Sequence, residues 1–281
     1  MPEPHGLDIG GQAVIEGVMI KNQQKLAVAV RLENGQIKVK KETIKRLPKF
    51  FRIPFIRGSA TLIHIFIIGI RALFWSANQQ IGEEEELTKR ELIGIFIASL
   101  AFGLLFFVGI PFGVSTLLGL SGFWFNAIEG VIRVVLFVGY VYIISFMKDI
   151  HRMFQYHGAE HMAVHCHEAK LELTVENVKK FSPVHPRCGT SFIMLVMIVS
   201  IILFTFLRSN LWYVNLIWRI ALIPVVAGIA YEILRLGGRF KHSAFMQAIV
   251  APGKWVQKIT TQWPEDPMIE VAIVAVKKVL E

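Results

Sequence analysis

The sequence predicts a mainly α-helical integral membrane protein: about four transmembrane helices in two hairpins, an interfacial helix and a small N-terminal β element. Three observations predict it. Of 281 residues, 54% are hydrophobic and only 18% charged, with a mean hydropathy of +0.52, too apolar for an ordinary soluble domain. Uncharged runs exceed the roughly 20 residues that cross a hydrocarbon core. Near the N-terminus, Asn34-Gly35 stands between two alternating apolar segments, a hairpin signal.

Residues 1–50 read as a cytoplasmic β-rich element. "KLAVAVRL" and "QIKVKKETI" flank Asn34-Gly35, both of which suit the positive φ of a type I′ turn, whereas "GGQAVIEGVMI" before them is glycine-punctuated and less periodic. Residues 51–90 hold the end of a basic arm, an interfacial or re-entrant helix and an acidic connector. The arm, residues 38–57 ("KVKKETIKRLPKFFRIPFIR"), carries eight Lys and Arg directly before an apolar stretch. That context, rather than the net charge of +9, identifies its partner as anionic lipid headgroups and not nucleic acid. Residues 59–77 are nearly long enough to span, but His64 and Arg71 interrupt them, and a crossing would place the basic arm outside. The glutamates at 83–86 read as a solvated connector.

Residues 91–148 form the first transmembrane hairpin, with spans Leu92–Leu120 and Phe123–Met147; residues 190–235 form the second, with spans Thr190–Leu207 and Leu211–Ile233. Glu129, Arg133 and Arg219 lie within these spans and can compensate one another as a cluster inside the bundle. Between the hairpins, residues 149–189 are a His-rich cytoplasmic segment: a helix from about 151 to 169, a capped turn at "LTVENVKKF" and the loop "SPVHPRCGT". Residues 236–281 read as cytoplasmic interfacial helices, the last starting with Asp266 as N-cap and Pro267 at N1, with Trp255 and Trp263 suited to the interface.

The hairpin tips carry little charge, "GLSGF" none and "LRSN" one, whereas Lys89, Arg90, Lys148, Arg152, Lys179, Lys180, Arg187, Arg235, Arg239 and Lys241 crowd the opposite ends. Both hairpins therefore point away from the cytoplasm, giving a multi-pass membrane protein with both termini inside. No apolar secretory region follows Met1. Cys166 and Cys188 fall on the reducing side, where a ligand or a core thiol is expected rather than a disulfide.

The chemistry concentrates in "YHGAEHMAVHCHEAK", residues 156–170. His157 and His161 are one helical turn apart on one face, a spacing at which two imidazoles grip one ion. Glu160 completes the H-x-x-E-H order in which the carboxylate is general base toward a water that the metal activates. A bland alternative is a polar amphipathic helix at a membrane surface. His165 and Glu168 continue the stripe, and "HPRC" brings His185 and Cys188 to the same side; a thiolate among imidazoles favours zinc over magnesium. Several positions keep two readings. Cys188 is a ligand or a small buried residue; Glu232 is a further ligand or the partner of Arg235 or another basic neighbour; Glu16 is a ligand or substrate contact, or simply part of a turn.

"GGQAVIEGVMI", "YHGAEH", "ENVKKFSPVHPRCGTSF", "AYEILRLGGRF" and "APGKWVQKITTQWPEDPMIEVAI", in this order, resemble the YqhQ-like family of uncharacterised bacterial membrane proteins, commonly labelled predicted metal-dependent enzymes. The resemblance implies that Gln12, Glu16, His157, Glu160, His161, His185, Arg187, Cys188 and Glu232 stand in signature motifs. Met162 and "TTQWP" depart from the pattern, which calls for a lysine and a more acidic turn. The leading expectation is a zinc-type site at the inner face, in a metal-dependent hydrolase with Glu160 as base and ligands drawn from His157, His161, His185, Cys188 and Glu232. The rivals are a non-catalytic scaffold or assembly factor with a structural metal or His cluster, and a metal-ion transporter, for which few ligands lie deep in the spans.

Overall fold

The structure is a computed structural model that describes residues 9–45, 48–53, 56–80, 88–206, 211–240 and 243–281. Arg46, Leu47, Pro54 and Phe55 of the basic arm, the acidic run at 83–86 and the "LRSN" joint at 207–210 lie outside the described residues.

Four strands, β1 (Ile9–Val14), β2 (Gly17–Asn22), β3 (Lys25–Arg31) and β4 (Ile37–Thr43), form an antiparallel meander in chain order. The least periodic stretch of the sequence is its first hairpin: Val14 pairs with Gly17 across Ile15-Glu16, and Glu16 has φ 49°. No polar alternation marks β2 and β3 because there the sheet is buried on both faces. In β3 the large Leu26, Val28 and Val30 face one way and Ala27 and Ala29 the other. The Asn34-Gly35 turn is not the expected type I′. Arg31 pairs with Ile37, which leaves five residues in the connection at 32–36, and of the two central residues only Gly35 takes a positive φ, 81°. Asn34 instead accepts a hydrogen bond from the Gln36 backbone at 3.0 Å.

One face of the sheet packs on α5 (Lys148–Glu168) and α11 (Asp266–Leu280), around Tyr156, Met162, Ile269 and Ala272. The other face takes the second half of α1 (Ile56–Gln80) through Ile68 and Ala72. Gln12 Nε2 donates to Gly69 O at 3.1 Å and the Ile15 N–H to Ser76 Oγ at 3.1 Å. Helix α11 starts one residue earlier than expected, at Asp266 with Glu265 as the N-cap; the Asp266 carboxylate pairs with Lys179 at 2.8 Å instead of capping.

The chain is mostly helical, and three of its described helices are long and apolar enough to span a membrane: Arg57–Gln80 within α1, Ile93–Leu117, and Gly122–Ile144. The second joins α2 (Lys89–Leu104), a π turn (Leu105–Gly109) and α3 (Ile110–Leu117), and the third is α4. This differs from the sequence reading in α1, expected to be interfacial or re-entrant and itself long and apolar enough to span, and in the other two expected spans. Helix α7 (Gly189–Thr205) has 17 residues, and the last span is a pair, α8 (Trp212–Ala221) and α9 (Ile223–Arg239), bent by 43°. Pro224 in the first turn of α9 lacks the N–H that would continue the ladder. Glu129, Arg133 and Arg219 do meet: Glu129 pairs with Arg133 and, at 2.7 Å, with Arg219, whose Nη2 donates to Asn126 Oδ1 at 2.7 Å. The π turn has a part here, since Phe107 O accepts from Arg133 Nε at 3.0 Å.

Candidate metal centre

Helix α5 carries His157, His161, His165 and Glu168 along one stripe, and two other segments close over it. The first is the end of α10 (Ala244–Thr260). Gly158 lets it approach: a Cβ there would fall 2.0 Å from Gln262 O. The Gln262 N–H donates to Phe154 O at 2.9 Å, and Thr260 O accepts from His157 Nδ1 at 2.9 Å. The second is the loop before α7. Pro183 O accepts from His161 Nδ1 at 2.6 Å and Val184 O from His165 Nε2 at 3.1 Å. Gln257, fully buried on α10, fixes this loop by accepting from the His185 N–H at 2.9 Å and donating to Ser191 Oγ at 2.7 Å.

With their Nδ1 protons on carbonyls, His157 and His161 present Nε2 lone pairs. His157 Nε2 lies 3.3 Å from Cys188 Sγ, and the ligand atoms of His157, His161 and Cys188 all fall within 4.8 Å of one another. Zinc with Zn–S of about 2.3 Å and Zn–N of about 2.0 Å in tetrahedral geometry sets sulfur and nitrogen about 3.5 Å apart, so these donors fit the ion with little adjustment. Cys188 also caps α7, accepting from the Thr190 N–H at 3.4 Å, so a thiolate there meets the positive end of the helix. Burial pushes the affinity of His157 and His161 for protons down, which keeps them in the neutral, metal-binding form.

Glu160 is buried with its Oε2 3.5 Å from His161 Nε2. Gly11 of β1 leaves room for it, since a Cβ there would lie 3.2 Å from Glu160 Cγ. Burial raises its pKa above the usual carboxylate range.

His165, Glu168 and His185 form a second group, also within 4.8 Å, but it is poorly built for a cation. Arg187 donates to Glu168 and already supplies the positive charge. The Arg187 N–H donates to His185 Nδ1 at 3.2 Å, so the proton of the neutral ring sits on Nε2, where a metal would need a lone pair. Burial lowers the pKa of both imidazoles, His165 to about 4.

Other singled-out residues stand elsewhere. Glu232 is held by Arg57 of α1 through two contacts of 2.7 Å, the ion-pair alternative with a basic neighbour. Glu16 grips Arg152 at 2.7 and 2.6 Å and accepts from Tyr156 at 3.2 Å, which ties the first hairpin to α5. Gln12 holds α1, and Cys166 is a core thiol. The sequence reading missed Gly158, Gln257 and the carbonyls of Pro183 and Thr260. A glycine inside "HGAEH" and a glutamine among the apolar residues of α10 were the available signals for the first two; nothing in a sequence marks a carbonyl.

The family described as "Protein of unknown function (DUF1385)" matches residues 53–281. The "Uncharacterized protein YqhQ" of Bacillus subtilis (strain 168) is 35% identical, across 96% of this chain and 92% of that protein. No solved structure matches.

Proposed function

The chain belongs to the DUF1385 family, which comes with no activity, and from the geometry of its buried donors we propose a zinc-type centre in a metal-dependent hydrolase at the cytoplasmic face of the bacterial membrane. His157, His161 and Cys188 are the ligands and Glu160 is the base. One observation carries this: two histidines whose Nδ1 atoms are pinned to carbonyls turn their free nitrogens toward one cysteine sulfur. A mixed imidazole–thiolate set selects zinc over the hard cations. Zinc with three protein ligands keeps a position open and supplies Lewis acidity to a water or a carbonyl. Glu160, buried and proton-seeking, takes up the proton that the attacking water gives up. A peptide or lipid-linked substrate near the headgroups suits the location.

The test is metal content of the detergent-purified protein together with complementation of a deletion strain. His157→Ala and His161→Ala should empty the site. Glu160→Gln should keep the metal and lose function, by the roughly 10²- to 10⁴-fold of a missing general base. If the glutamine variant loses its metal, Glu160 is a ligand and the base assignment is wrong; if it keeps both metal and function, the centre is a structural tie.

One feature supports a membrane seat: Phe50, Phe51 and Ile53, in the basic arm just before α1, are exposed. Such rings beside lysines and arginines suit an anionic headgroup layer.

A further inference from the structure

The loop that brings Cys188 to the histidines also brings a buried donor that has no acceptor. His185 is 5% exposed, and among the described residues its Nε2 has no hydrogen-bond partner. Glu168 Oε1 lies 3.7 Å away, beyond hydrogen-bond range and already accepting from Arg187. The ring cannot turn to hide this proton: its Nδ1 accepts from the Arg187 N–H, and its own backbone N–H is held by Gln257. Its centroid lies 5.5 Å from that of His161, a ligand of the proposed ion, and 4.4 Å from that of His165. Leaving a buried donor unpaired is costly, and such a group calls for a role.

We propose that His185 donates its Nε2 proton to an oxygen of the substrate, a carboxylate, phosphate or developing oxyanion drawn to the metal, and so positions that oxygen beside His161. This rests on the metal reading above. It reassigns His185 from ligand to donor. Arg187 assists by neutralising Glu168, so an incoming anion meets no free carboxylate at that side. The role follows the logic of an oxyanion hole: a donor fixed in advance where negative charge arrives.

Two substitutions separate this role from a structural one. His185→Gln places an amide N–H where Nε2–H was and gives up the acceptor for the Arg187 N–H; His185→Asn keeps an acceptor near Nδ1 and gives up the distal donor. The full chain in detergent would be loaded with cobalt(II), whose thiolate absorption reports the site, and titrated with inorganic phosphate and, separately, acetate. The wild type and His185→Gln should bind whichever anion perturbs the spectrum with similar affinity, and His185→Asn roughly tenfold more weakly, the loss of one hydrogen bond. Response to phosphate alone or acetate alone names the anion. The reverse order of the two variants, equal affinities in all three, or cobalt lost from both variants would overturn the donor role. Wild-type protein that takes up no cobalt sinks the metal reading itself; cobalt uptake with no response to either anion sinks only the proposal for His185.

Discussion

Glu16 holds a backbone conformation, φ 49°, that costs a side-chain-bearing residue roughly 1 kcal/mol relative to glycine. The chain keeps it because its carboxylate grips Arg152 with two contacts and receives the Tyr156 hydroxyl, one residue before His157. The two terms can be split. Glu16→Ala loses the ion pair and keeps the strain, whereas Glu16→Gly loses the pair and relieves the strain, so alanine should be the less stable by about 1 kcal/mol in thermal melts. Arg152, first among the causes, holds the Glu16 carboxyl below its usual pKa. The sign follows: a depressed acid contributes stability above its unfolded pKa and loses it as pH falls through the folded one. Wild type should therefore lose stability relative to Glu16→Gln on acidification below the ordinary carboxylate range, about pH 4; parallel melting curves for the two would count against the pair.

Helix α5 was legible in the sequence almost to its ends, because its ligand stripe is polar and its other faces are apolar and small. The segments that complete the site were not, since they contribute through carbonyls and close approach. Gly158 is where that approach is tightest. Alanine there gains up to about 1 kcal/mol of helix propensity but pushes on Gln262 O, a backbone atom that cannot swing away. We expect a net destabilisation of about 1–3 kcal/mol. Thr260 O would also withdraw from His157 Nδ1, weakening zinc by the roughly 10- to 100-fold typical of a lost orienting contact, measurable by competition with a chelator. Unchanged zinc affinity would mean that the carbonyl does not orient the ligand. The sheet was half legible for a related reason. Polar alternation marks a sheet with one wet face, and here α1, α5 and α11 leave only β4, with Lys38, Lys40 and Lys41, to show it.

The arrangement of the whole chain about a membrane turns on α1, which is long enough to cross yet is held at both flanks by the same sheet. Ile44, just after β4, and Ile68 and Ala72, in the second half of α1, share one buried cluster with Val14 and Val28. The chain thus leaves the sheet after Ile44 and is back on it by Ile68. The part of α1 before Ile68, residues 56–67, rises only about 18 Å at 1.5 Å per residue, little more than half of a 30 Å hydrocarbon core. A dip into the bilayer and return fits these lengths; a crossing would require the sheet to follow. Single cysteines at Glu33, in the β3–β4 connection, Arg90, at the start of α2, Glu176, on the short helix after α5, and Ser121, between α3 and α4, decide between them. In a background lacking Cys166 and Cys188, an impermeant thiol reagent should reach Ser121→Cys in intact cells, and the other three only after permeabilisation. Labelling of Arg90→Cys from outside, with Glu33→Cys protected, would show that α1 crosses and that the α3–α4 connection faces inward. Labelling of Glu176→Cys from outside would place the proposed metal centre on the outer face, where the reducing environment of the cytoplasm no longer protects Cys188 and a cytoplasmic substrate is ruled out.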